Sequence, residues 1–188
     1  KFFTLNILVI TIGLFSNIAL ADIEKNIINT LTSIQTLSFN FTQIIGQKKE
    51  MGNCIIKYPL LMKCNYKNLK EKTIISNGKS LAVIKKKYKR VYLYPLKSTP
   101  LFTILQKEKI FKIIRNSNYK KKENIIEYEI FDIKKNKLKI FFDKEFFTLK
   151  GWETEDMYSN KVNFLIKDLK INKVIEHSYF KIPKEEDL

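Results

Sequence analysis

The chain has 188 residues, enough for one domain with a sizeable hydrophobic core. Its 35 Lys and Arg against 19 Asp and Glu give a formal charge of +16 at neutral pH. Sequence-specific nucleic-acid binding is excluded as the reason, because Arg is the principal base reader and only Arg90 and Arg115 are present. The excess is Lys, in a chain rich in Lys, Ile and Asn, and reads as solvated surface with a weak attraction for anionic lipid headgroups.

Residues 1–21 have the form of an export signal. Lys1 is a positive start, Leu5 to Phe15 is apolar, and Ala19-Leu20-Ala21 is an A-x-A cleavage site. The apolar part is shorter than the roughly 20 residues that span a bilayer. The mature protein is expected to begin at Asp22, as a single domain over residues 22–188 in an oxidising compartment. No Cys follows Ala21, so no lipid-attachment box is expected and the protein should diffuse freely.

From Asp22 to Thr36 the spacing of Ile23, Ile27, Leu31 and Ile34 predicts a helix. At Leu37 the period changes to two, and Leu37, Phe39 and Phe41 mark a half-buried strand. Asn53–Lys57 and Met62–Tyr66 then form a hairpin about Pro59, which sets Cys54 opposite Cys64. Two cysteines in an oxidising compartment point to a disulfide; the alternative is two reduced, buried small hydrophobes. Lys72–Ser76 and Ser80–Lys85 flank Asn77-Gly78, a type I′ hairpin signal that requires positive φ at both residues.

After a strand at Arg90–Tyr94, Thr99 as N-cap and Pro100 open a short helix to Gln106. Strands are predicted at Ile110–Ile114, Ile125–Phe131, Lys137–Phe142, Phe146–Trp152 and Lys161–Ile166. An extended piece around Phe180 to Pro183 follows, and the charged tail Lys184–Leu188 is expected to fray. Many short antiparallel strands with polar turns define a mainly β protein: a sandwich, an open sheet or a barrel. The two helices are too few to cover a parallel sheet on both faces, but can cover one mouth or one concave face.

No catalytic grouping stands out. His177 is the sole histidine and lies in a polar segment near the end of the chain. The spacing of Cys54 and Cys64 does not suit a zinc clip, and Glu153, Glu155 and Asp156 read as a solvated loop. No cofactor or metal is expected.

Ser38-Phe39-Asn40-Phe41-Thr42-Gln43, Tyr58-Pro59, Ser76-Asn77-Gly78-Lys79-Ser80-Leu81, Tyr94-Pro95-Leu96 with Thr99-Pro100-Leu101, and Leu149-Lys150-Gly151-Trp152 occur in that order. Together they resemble the LolA family of periplasmic outer-membrane lipoprotein carriers. The resemblance implies a strongly bent antiparallel sheet, an incomplete β-barrel with a helical lid over an apolar concavity. It also implies a non-enzymatic periplasmic chaperone. Its partners would be acylated lipoproteins, an inner-membrane lipoprotein ABC exporter and an outer-membrane lipoprotein receptor, with the carrier acting as a monomer. The alternative is a binding protein of the same fold for a free lipid or other amphiphile. Candidates for the lining are Phe39, Phe41, Leu81, Val83, Phe102, Leu105 and Trp152, each of which serves equally as ordinary core.

Two departures from the family pattern stand out. Many members carry Arg before the hairpin proline, holding the lid closed; here the residue is Tyr58, expected to donate one hydrogen bond as a lid latch. The usual Pro-Pro-x-Gly-Val continuation is replaced by Pro183-Lys184-Glu185-Glu186. Burial at about 0.8 kcal/mol per CH₂ makes one ~16-carbon chain worth on the order of 13 kcal/mol. Three chains would exceed the ~20 kcal/mol ceiling of non-covalent complexes. The expectation is therefore partial enclosure under a lid that opens, against a wall that is not uniformly apolar.

Overall fold

The structure, a computed structural model, describes residues 15–67, 71–131, 137–156 and 160–188, with side chains from Asp22 onward. Most of the expected export signal lies outside the described residues. Helix α1 (Phe15–Ser33) runs unbroken past Ala21. Its end at Ser33 corrects the expected end at Thr36. The Thr32 and Ser33 hydroxyls turn back onto the Ile28 and Thr30 carbonyls. Asn172 then completes the stop, accepting from the Gln35 N–H at 2.7 Å and donating to the Ser33 carbonyl at 3.0 Å.

The next six strands form a meander: β1 (Thr36–Ile45), β2 (Lys48–Lys57), β3 (Leu61–Tyr66), β4 (Lys72–Asn77), β5 (Ser80–Lys85) and β6 (Arg90–Pro95). After the lid segment a second meander comprises β7 (Tyr119–Lys122), β8 (Ile125–Phe131), β9 (Lys137–Asp143), β10 (Leu149–Glu155) and β11 (Lys161–Ile171). Antiparallel pairing of β11 with β1 joins the halves into one sheet, in the order β6-β5-β4-β3-β2-β1-β11-β10-β9-β8-β7. The edges β6 and β7 do not pair with each other, so the sheet is not closed into a barrel.

The β4–β5 turn differs from type I′, because Gly78 alone takes positive φ, at 95°. The Asn77 side-chain oxygen accepts from the Lys79 and Ser80 N–H groups at 3.1 and 2.9 Å, so an Asx turn does the work.

The lid holds a 3-10 turn at Leu96–Ser98 and helices α2 (Leu101–Ile104) and α3 (Lys107–Asn116). Helix α3 replaces the expected strand Ile110–Ile114. Ile110, Ile113 and Ile114 recur at three- and four-residue spacing and are buried, while Lys112 and Arg115 face water. Thr99 is not the cap of α2: its hydroxyl donates to the Leu96 carbonyl at 2.9 Å, and Pro100 holds the N-cap position.

The sheet buries apolar residues on two faces. On the inner face, Leu37, Phe39, Ile126, Tyr128, Ile140 and Phe142 pack with Ile27 and Leu31 of α1 and Ile110 and Ile114 of α3. On the outer face of β3–β5, Leu61, Ile75, Ala82 and Ile84 are covered by Phe180, Ile182 and Leu188 of the C-terminal segment. The expected fraying of the tail is thereby overturned. Glu185 accepts from the Val91 N–H at 2.9 Å and pairs with Arg90 at 3.3 Å, clipping the tail to β6.

Candidate functional site

Between the inner face and the lid lies a cavity of about 220 Å³. One wall is built by Met62, Cys64 and Tyr66 of β3, Ile74 of β4 and Leu81 of β5; Trp152, Val162 and Phe164 of β10 and β11 form the other. Thr99, Pro100 and Leu101 roof it, and Thr154, Glu155 and Asp156 stand at the β10 end. Strand periodicity explains the selection: Met62, Cys64 and Tyr66 are two apart, and Ile74 pairs directly with Cys64.

Trp152 reaches this face through a bulge. The register slips between Leu149 and Gly151, and Gly151 adopts φ 150°, a conformation that side chains disfavour. Leu149 and Trp152 are both buried in the inner core despite their odd spacing.

Four rings then run across the floor. Trp152 stacks on Phe164 at 4.2 Å and 6°, Phe164 stacks on Phe41 at 4.6 Å, and Phe41 meets Tyr66 edge-on at 4.8 Å. Strand β2 lies between Phe41 and Tyr66, and its residue at that position is Gly52. With no side chain there, the Phe41 ring lies over the β2 backbone.

The wall is polar where Tyr66 meets Gln43. The Tyr66 hydroxyl donates to the Gln43 side-chain oxygen. Burial, and then the nearby Glu50 charge, push the Tyr66 phenol far above its ordinary range, which keeps it a donor. Burial alone would raise the Glu50 carboxyl; hydrogen bonds and charge from Lys72, at 2.6 Å, and Lys48 outweigh it and hold the group below the usual carboxylate range.

Of the lining candidates, Leu81 and Trp152 border the cavity. Phe39, Phe41 and Leu105 are buried in the inner core, at 3%, 2% and 0% exposure, with Phe41 serving as the support beneath Phe164. Phe102 is half-buried against that core, in the lid. Val83 is half-buried on the Leu81 face of β5, towards β6, outside the lining. Met62, Tyr66, Ile74, Phe164 and Leu101 are not among the candidates, although counting by two from Cys64 finds Met62 and Tyr66.

Cys54 and Cys64 face each other across β2 and β3 and are joined in a disulfide, with Cα atoms 4.0 Å apart. They are ten residues apart. Such a short loop makes the bond worth about 2.7 kcal/mol. Urea unfolding with and without reductant is expected to differ by that amount.

Tyr58 is buried, and its hydroxyl has no hydrogen-bond partner among the described residues, which corrects its expected role as a donor to the lid. The Lys107 ammonium of α3 donates to the Thr32 carbonyl of α1 at 3.1 Å and lies 5.6 Å from the centre of the Tyr58 ring. Because an unsatisfied buried hydroxyl costs stability, Tyr58→Phe is expected to raise stability by about 1 kcal/mol. Release kinetics should not change. A destabilised variant with altered release would restore the hydroxyl to the latch.

Glu153 pairs with Lys139 at 3.3 Å, Asp156 accepts from the Asn160 N–H at 2.9 Å, and His177 is exposed on the outer-face segment. Among the described residues no cluster of His, Cys, Asp or Glu could hold a metal.

The fold thus presents a bent, unclosed sheet with an apolar recess under a helical lid. Residues 32–183 match the sequence model of the family described as outer membrane lipoprotein carrier protein LolA, and the chain belongs to that family.

No curated protein matches the chain. Among solved structures, an uncharacterized conserved protein from Thermus thermophilus superposes with TM-score 0.56 at 6% identity, covering 88% of this chain and 95% of that one. A putative outer membrane lipoprotein-sorting protein domain from Vibrio parahaemolyticus gives 0.48 at 12% identity, over 85% and 94% of the two chains. A LolA superfamily protein from Nitrosomonas europaea gives 0.46 at 8%, over 86% and 97%. At these identities the likeness concerns the fold alone.

Proposed function

We propose that this protein carries acylated lipoproteins through the periplasm. In this reading residues 1–21 direct export and are removed after Ala21. The domain that follows receives acyl chains from an inner-membrane ABC exporter and yields them to an outer-membrane receptor. It acts as a monomer and performs no chemistry on its cargo. The observation that carries the reading is the apolar cavity under the lid in a chain of the LolA family.

The cavity's volume of about 220 Å³ is below the roughly 300–1,000 Å³ of ordinary ligand pockets, so cargo must displace the lid. Polar ties that must yield include the Leu60 N–H to the Leu105 carbonyl at 2.8 Å and Lys107 to Thr32. Each is worth about 0.5–1.5 kcal/mol net. That is small beside the order of 13 kcal/mol available from one buried ~16-carbon chain. Opening also uncovers Ile104, Leu105, Ile110 and Ile114, buried at about 1.5–3 kcal/mol each, so lid closure and the burial of one acyl chain are of the same order and cargo can exchange.

Leu101 tests the reading, since it lines the cavity from the lid and is only half-buried. A carboxylate there must be desolvated against the acyl chains. Leu101→Glu is expected to lower the yield of soluble complex with a triacylated lipoprotein at least about tenfold, on a cost of several kcal/mol. The assay uses membranes containing the exporter and ATP, and unchanged yield from a folded variant would refute the reading. The small volume also favours a second reading, in which the ligand is a free single-chain amphiphile. Native mass spectrometry separates the two: an acylated protein bound one-to-one supports the carrier, and free lipid supports the alternative.

A further inference from the structure

Strand β6 is an edge strand with an unusual composition. Tyr92, Leu93 and Tyr94 are 43%, 61% and 48% exposed, and Tyr88, just before the strand, is 52% exposed. The turn feeding β6 holds Lys86, Lys87 and Lys89, all exposed. Such an edge normally invites another strand, but here that route is impeded. The Val91 N–H is already taken by Glu185, and Pro95, on the same side of the strand by two-residue spacing, has no N–H to offer.

Tyrosines with one apolar and one wet end, beside lysines whose ammonium groups reach outward, suit the boundary between hydrocarbon and headgroups. Both faces of the strand contribute, Tyr92 and Tyr94 on one and Leu93 on the other. The edge is also continuous with the cavity. Tyr94 pairs with Leu81, which lines it, and Tyr92 pairs with Val83 on the same face.

We infer that the β5–β6 turn and strand β6 dock on a bilayer surface containing anionic lipid. Lys86, Lys87 and Lys89 meet the headgroups, and Tyr92, Leu93 and Tyr94 enter the interface. Docked this way, the protein presents its cavity wall to the membrane through the Tyr94–Leu81 pair, and an acyl chain leaving the bilayer travels along apolar surface rather than through water. The charge complementarity selects anionic lipid over a second copy of the chain, which would bring like charge to the same edge.

The test is sedimentation of the protein, recovered in soluble form after export, with vesicles of phosphatidylcholine alone or mixed with phosphatidylglycerol. Binding is expected only to the mixed vesicles and should be lost in high salt. Lys86→Glu/Lys87→Glu/Lys89→Glu should weaken it at least about 100-fold, since losing three cations at roughly fivefold each already amounts to that and the carboxylates add repulsion. Lys120→Glu/Lys121→Glu/Lys170→Glu makes the same change in net charge elsewhere on the exposed surface and should weaken it far less. Tyr92→Ser/Leu93→Ser/Tyr94→Ser should weaken it about tenfold with charge unchanged. Absence of binding to the mixed vesicles, equal loss in both charge variants, or no effect of the serine variant would each overturn the proposal.

Discussion

Gly52→Ala is expected to destabilise the fold by about 3 kcal/mol or more, at the upper end of what overpacking costs. A β-carbon at Gly52 would collide with the Asn65 carbonyl oxygen and lie 2.7 Å from the Phe41 ring. The ring has nowhere to retreat, because it is stacked on Phe164 and set edge-on against Tyr66. The neighbouring carbonyl belongs to the backbone of the paired strand β3 and moves only if the ladder moves. Urea unfolding should give a midpoint well below that of the parent. An unchanged midpoint would mean that the ring row across β2 is not built as described.

Trp152→Ala is expected to cost about 3–5 kcal/mol, the range for removing a large buried aromatic. The indole is 3% exposed and parallel to the Phe164 ring, so its loss leaves a void contiguous with the cavity. Cargo affinity should change along with stability. Trp152→Phe keeps a ring over Phe164 and should recover most of the stability. If the alanine variant were as stable as the parent, Trp152 would not be a structural member of the wall.

These two residues also illustrate what can be read from the chain and what cannot. The alternation Leu37, Phe39, Phe41 and the symmetry of the segment about Pro59 are local, and both translate directly into strands and register. Trp152 is a candidate because of its motif, but its inward orientation depends on a bulge whose one-residue slip reverses strand parity. Gly52 carries no pattern of its own; its role follows from the ring that crosses it. The segment Ile110–Ile114 is ambiguous because five apolar-rich residues fit either period, and the burial of Ile110, Ile113 and Ile114 decides for helix. The stop of α1 depends on Asn172, 139 residues away, which no local signal announces. Phe39 and Phe41 share a face with the cavity wall, yet lie within the core, because a sheet bent around helices buries most of its inner face.

The chain contains a single tryptophan, and it stands on the cavity wall. Its emission therefore reports on the site with no added label. The most direct measurement is a titration of the protein with a triacylated peptide, following Trp152 fluorescence, against the same peptide without acyl chains. A saturable change at one-to-one stoichiometry is expected with the acylated peptide and none with the bare peptide, with a much weaker response in Leu101→Glu. Acylated peptide bound without any change at Trp152, or equal responses to both peptides, would contradict the assignment of this cavity as the acyl-binding site.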